Sequence, residues 1–181
     1  MSQLEFLRVV VEILRGQGID HMLVGSYASS YHGESRSTHD IDLVVDLPLD
    51  KIPAFINAFD RDRYYLSEVA FREGRMANII DTLTGDKIDL FFLGSDDDSR
   101  REFARRRVGN VFHVEADIAT AEDVILSKLR WDAQLGGSSQ QRADIVNILR
   151  TVAETIDMEY LYRYAGEHGA TLRLLLDEVD A

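Results

Sequence analysis

Two carboxylates one residue apart, Asp40 and Asp42, open the apolar run at 40–46. Residues i and i+2 of a strand share a face, so a strand here turns both carboxylates one way. Ile41, Leu43 and Val45 then take the other face. Adjacent like charges repel, and burying them without a partner is costly. A divalent cation resolves that conflict: Mg²⁺ takes one or two carboxylates and fills its shell with water and phosphate oxygens. Upstream, the apolar run at 22–24 stops at Gly25-Ser26, a short helical segment at 27–32 follows, and Gly33 leads into a polar turn. Glycine lets the backbone turn tightly and lets a ligand approach. The free N–H groups that open a helix favour an anion, and the Ser26 hydroxyl adds a donor. A strand, a Gly-Ser turn, a helix and an Asp-x-Asp strand thus set a triphosphate grip beside a metal grip.

The stretch LVGSYASSYHGESRSTHDIDLVVD resembles the signature of the polymerase-beta-type nucleotidyltransferase superfamily: Gly-Ser, a spacer, then Asp-x-Asp. With its thirteen-residue spacer at 27–39 and with Gly33, Arg36 and Thr38, it is most similar to the AbiEii-type branch. That branch is found among toxin–antitoxin and phage-defence nucleotidyltransferases. The resemblance implies an α/β (α+β) fold, a small mixed sheet flanked by helices and followed by a C-terminal helical bundle. It divides the chain into a nucleotidyltransferase core at 1–115 and a helical region at 116–181 packed on it. It also implies a Mg²⁺-dependent enzyme that moves a nucleoside monophosphate from an NTP to an acceptor hydroxyl and releases pyrophosphate. Two Mg²⁺ ions would be held by Asp40, Asp42 and a third carboxylate on a neighbouring strand, with Gly25 and Ser26 on the β- and γ-phosphates.

Asp89, in the otherwise apolar run KIDLFFL, is the expected third metal ligand and the acceptor of the hydroxyl's proton. A carboxylate at a sheet edge or paired with an arginine is the structural alternative. Asp81, on the partner strand of the same hairpin, is a second candidate. Further on, Glu-Asp-x4-Lys-Leu followed by Arg-x-Asp-Ile also resembles the branch. By that resemblance Lys128 contacts the triphosphate or substrate, and Asp144 acts as a base or positions Lys128. A surface Lys–Asp pair joining two helices accounts for the same residues without chemistry.

The remaining elements follow from apolar spacing. A helix at 2–17 is capped by Ser2 with Glu5 three residues on. A helix at 48–59, with Asp46 as cap and Pro48 in its first turn, buries Ile52, Phe55, Ile56 and Phe59. Tyr64 and Tyr65 could stack a base, but such pairs far more commonly pack a core. Runs at 76–83 and 87–93 form a hairpin about Thr84-Gly85-Asp86. Asp98 or Ser99 caps a helix within 96–107, and an edge strand follows at 108–114. Helices are expected at 120–135, after Gly136-Gly137, at 158–168 and at 171–179. His21 and His32 lack a partner at metal spacing and read as ordinary helix-flank or surface residues, and His39, nearer the carboxylates, alternates onto the Ile41 face.

The 181 residues, 45% hydrophobic, suffice for one ordinary core with a helical annex. No cysteine occurs, which excludes a disulfide frame and a thiolate metal site. Without a charged-then-apolar leader or an apolar run near ~18 residues, the chain is expected to be cytoplasmic and to engage no membrane. A net charge of −12 argues against a broadly basic nucleic-acid surface. The locally basic segment Arg100, Arg101, Arg105, Arg106 and Arg107 is the best seat for a polyanion, and it favours an RNA acceptor such as a tRNA end. A protein acceptor and a cognate toxin or antitoxin partner are further expectations of the resemblance. Two other classes compete: a catalytically silent nucleotidyltransferase-like binding or antitoxin protein, and a small-molecule enzyme of the aminoglycoside type, whose cationic acceptor suits an acidic chain.

Overall fold

A computed structural model describes residues 2–35, 38 and 40–179. Arg36 and His39, both singled out above, lie outside the described residues. The first helix, α1 (Gln3–Gly16), carries the expected capping box: Ser2 Oγ accepts from the Glu5 amide, and the Glu5 carboxylate accepts from the Ser2 amide. There follow β1 (Asp20–Val24), α2 (Gly25–His32), β2 (Asp40–Asp46), α3 (Ile52–Asn57), β3 (Tyr64–Leu66), α4 (Glu68–Glu73), β4 (Met76–Asp81) and β5 (Lys87–Phe92). Then come α5 (Asp97–Arg105), β6 (Arg107–Val111), β7 (Val114–Ile118), α6 (Ala121–Gln134), α7 (Ser139–Val152), α8 (Met158–Tyr164) and α9 (Gly169–Val179). Among the described residues no helix is long and apolar enough to cross a membrane.

The chain falls into two compact units, Met1–Tyr27 with Ser37–Ala119, and Ala28–Arg36 with Thr120–Ala181. A cut at 115/116 would pass through β7. The first unit holds one sheet, whose described strands run in the order β3-β4-β5-β2-β1-β7-β6. Pairing is parallel between β2 and β5 and between β1 and β7, and antiparallel elsewhere. This is the mixed sheet flanked by helices that the sequence predicts.

One face of the sheet is apolar and covered. Ile41, Leu43 and Val45 of β2 align with Ile88, Leu90 and Phe92 of β5, and all but Phe92 are fully buried. Helices seal this face through aromatic contacts: Phe6 of α1 stacks on Tyr64 at 5.5 Å, and Phe71 of α4 meets Phe92 edge-on at 5.9 Å. Tyr64 is therefore core and Tyr65, on the alternate face, is exposed. The second unit packs α6 against α7 and α8, and α7 against α9, which gives the expected helical bundle.

Local departures from the expected elements have physical causes. The helix at 48–59 splits into a 3₁₀ turn at Leu49–Lys51 and α3, because Pro53 lacks an amide hydrogen and fits only the first turn of a new helix. Asp96, not Asp98 or Ser99, caps α5 by accepting from the Ser99 amide at 2.8 Å. The stretch at 108–114 is not a single edge strand but most of a hairpin, β6–β7, turning at Phe112 and His113 with φ of 48° and 69°.

Candidate active site

The pairing register assembles the site within the first unit. Val24, the last residue of β1, lies opposite Asp42, so the Gly25-Ser26 turn leaves the sheet beside the second carboxylate. Across β2, Asp42 aligns with Asp89 and Asp40 aligns with Lys87. One strand further, Asn78 lies opposite Asp89. Partners in register share a face, so Asp40, Asp42, Lys87, Asp89 and Asn78 all stand on the face opposite the helix-covered core. The alternation Ile41, Leu43, Val45 in the core is what forces the carboxylates to this side.

Gly25 has φ of +62°, a conformation that side chains disfavour. A β-carbon there would also overlap Asp42 Oδ2 and lie 3.0 Å from Asp42 Cγ. The glycine is thus required twice, for the turn and for the close approach of the carboxylate. Ser26 follows it in the first turn of α2, where helix amides lack intrahelical acceptors.

Asp89 is buried, and its two oxygens are separately engaged. Asn78 Nδ2 donates to Oδ1, and Lys87 Nζ donates to Oδ2 at 2.7 Å. The same ammonium lies 3.4 Å from Asp40 Oδ1. The hydrogen bond to Asp89 raises the Lys87 ammonium above the usual lysine range, burial opposes it, and the charges of Asp89 and Asp40 reinforce it. Among the described residues no three His, Cys, Asp or Glu side chains stand close enough together to hold a metal ion. The donor chemistry nonetheless fits a hard cation: three carboxylates on one face of two adjacent strands, two of them side by side and two reached by one ammonium.

Lys87 and Asn78 are the site residues that sequence reasoning missed. Alternation within KIDLFFL already puts Lys87 on the Asp89 face, and the register of the hairpin at 76–93 puts Asn78 beside it. Asp81 is on the other face. It is fully buried, bonded to Arg63 at 2.8 Å and to the Leu83 amide at 3.0 Å, and is a structural anchor. Burial raises its carboxyl, but the Arg63 hydrogen bond and the loop amides prevail and hold it below the ordinary aspartate range.

Lys128 and Asp144 meet in the second unit, from α6 and α7, at 2.7 Å. The pair is buried rather than on the surface, and Lys128 also donates to Gln141 Oε1 at 3.1 Å. His21, a residue of β1, is buried, and desolvation lowers its pKa while its contact with the Ile19 carbonyl only partly opposes that. The arginine segment is neutralised in part. Arg101 pairs with Asp98 and Glu102, and Arg106 reaches Asp20 at 3.2 Å and Asp117 at 3.5 Å while lying over the Phe103 ring.

No family model matches the chain, and no curated protein matches it either. Solved structures do. An antigenic nucleotidyltransferase-like protein from Paracoccidioides brasiliensis is similar with a TM-score of 0.65 at 15% identity, covering 97% of this chain and 88% of that one. ANT(2")-Ia, solved in complex with adenylyl-2"-tobramycin, gives 0.61 at 9% identity over 95% and 99%. The lincosamide antibiotic adenylyltransferase LnuA, solved with lincomycin bound, gives 0.55 at 12% identity over 81% and 94%. The fold is that of the nucleotidyltransferases.

Proposed function

We propose that this chain is a Mg²⁺-dependent nucleotidyltransferase that moves a nucleoside monophosphate from an NTP to an acceptor hydroxyl. The observation that carries the reading is the register: it sets the Gly25-Ser26 turn, Asp40, Asp42 and Asp89 on one face of one sheet. Asp40, Asp42 and Asp89 would hold the metal, which supplies a Lewis acid for the phosphate oxygens. The Gly25-Ser26 turn and the opening amides of α2 bind the β- and γ-phosphates and orient the α-phosphorus. The acceptor oxygen bonds to that phosphorus, the bond to the β-phosphate oxygen breaks, and pyrophosphate leaves. The Asp89 carboxylate takes the acceptor's proton.

For the acceptor, the acidity of the chain and the antibiotic-modifying neighbours favour a small cationic hydroxyl compound. An RNA acceptor is the second reading, on the strength of Arg100 and Arg107, which remain exposed. The AbiEii-type assignment, with Lys128 and Asp144 as helpers in turnover and a cognate partner protein, is part of the proposal and rests on the sequence resemblance.

The test is pyrophosphate release with each NTP and a panel of aminoglycosides, lincosamides and tRNA. Asp42→Asn is expected to lower turnover by about 10²- to 10³-fold, as loss of a charge-stabilising group does, with an unchanged circular dichroism spectrum. Full activity in that variant refutes the mechanism. Product mass spectrometry then separates antibiotic from RNA.

A further inference from the structure

We propose that Lys87 is a built-in counter-ion of the carboxylate site, holding Asp89 and Asp40 in the metal-free protein and giving way when a divalent cation enters. The inference rests on the nucleotidyltransferase reading and adds to it a residue that the Gly-Ser and Asp-x-Asp motifs do not contain.

Three observations support it. First, a single ammonium contacts carboxylates from two strands, Asp89 Oδ2 at 2.7 Å and Asp40 Oδ1 at 3.4 Å. That is where a cation shared by the two would bind. Second, the two carboxylates differ in need. The Asp89 side chain is only 8% exposed and the Asp40 side chain 60%. A buried carboxylate without a cation is strongly destabilising, whereas an exposed one is solvated by water. Lys87 satisfies the buried charge. Third, Lys87 is itself 43% exposed, so its flexible stem can swing into solvent without disturbing the core. Asn78, which holds Asp89 Oδ1 from β4, keeps the carboxylate oriented while Oδ2 changes partner. Exchange of one cation for another therefore requires no movement of the sheet.

Two consequences separate this arrangement from a passive surface ion pair. Lys87 competes with the metal, so removing its charge tightens metal binding. It also stabilises only the metal-free protein, so the same change lowers metal-free stability and the metal restores it. A charge acting from a distance would alter affinity without the second effect.

The experiment titrates Mn²⁺ alone calorimetrically into wild type, Lys87→Met, Lys87→Gln and Asp42→Asn, and measures Tm with and without saturating Mn²⁺. The expected result is several-fold tighter Mn²⁺ binding in Lys87→Met, a metal-free Tm several degrees below wild type, and convergence of the two at saturation. Lys87→Gln, which keeps a donor to Asp89 without the charge, shows the tighter binding even if Lys87→Met does not fold. Equal or weaker binding in both variants overturns the inference, and so does tighter binding with an unchanged metal-free Tm. If wild type binds Mn²⁺, Asp42→Asn does not and Lys87→Met binds as wild type does, the metal site stands and only the role of Lys87 falls. If none of the four proteins binds Mn²⁺, both readings fall.

Discussion

Gly25 shows how much a single residue decides here. Its φ of +62° places the backbone where a side chain costs about 1–2 kcal/mol, and the space a β-carbon would fill is taken by Asp42. Gly25→Ala must therefore both strain the turn and push the carboxylate aside. We expect that variant to fold with a modestly lower Tm, but to lose most Mg²⁺-dependent NTP binding by calorimetry. Retained NTP affinity would show that the turn does not grip the triphosphate. The turn at Gly25 was legible from the Gly-Ser pair; the room it leaves for the Asp42 carboxylate was not, because it follows from the pairing of β1 with β2. Lys87 was legible in principle, since it shares its face with Asp89, but a lysine at a strand start carries no signal until its strand neighbour is known. Lys128 and Asp144 were correctly paired across two helices, yet their burial could not be read, because a lysine in ILSKLRW looks the same on a wet face as on a dry one.

At the scale of elements, the hairpin at 76–93 and the carboxylate strand were plain from alternation, because one buried face fixes the register of every residue on it. The β6–β7 hairpin was not. Its turn places Phe112 and His113 at positive φ, where Asn-Gly is the usual signature, so the break in the apolar run gave no cue. Strand β3 and helix α4 are too short for periodicity to register. What holds β3 to the sheet is partly a clamp at its end: Arg63, just before the strand, bonds Asp81 at the end of β4, and its carbonyl accepts from the Thr82 amide at 2.9 Å. Asp81 has a depressed pKa in the folded chain, so the unfolded chain binds its proton more readily. The clamp's contribution is thus present above the ordinary aspartate range and is lost as pH falls through the folded value. Asp81→Asn should lower Tm by several degrees at pH 7 and narrow its gap to wild type in acid. A gap independent of pH would mean that packing, not the ion pair, accounts for the loss.

For the molecule as a whole, charge is the property that bears most on the acceptor. The chain carries −12 at neutral pH, and the arginine segment that offsets this locally is tied up in part by Asp98, Glu102, Asp20 and Asp117. A field of that sign attracts a cationic acceptor and repels a polyanion, and salt screens both effects. Between about 0.01 M and about 0.15 M salt the screening length falls from about 30 Å to about 8 Å. With an aminoglycoside as acceptor, kcat/KM should therefore fall several-fold over that range, with kcat little changed, because steering acts on encounter and not on chemistry. With tRNA the trend depends on where contact is made. Repulsion by the whole chain makes salt help association, whereas a true basic contact at Arg100 and Arg107 makes salt hinder it, as counterion release requires. Steady-state kinetics across the salt series, run for both acceptors on wild type and on Arg100→Ala/Arg107→Ala, decides the matter. A steep loss with salt for tRNA that the double variant abolishes would establish the RNA reading. A steep loss confined to the aminoglycoside would establish the small-molecule one.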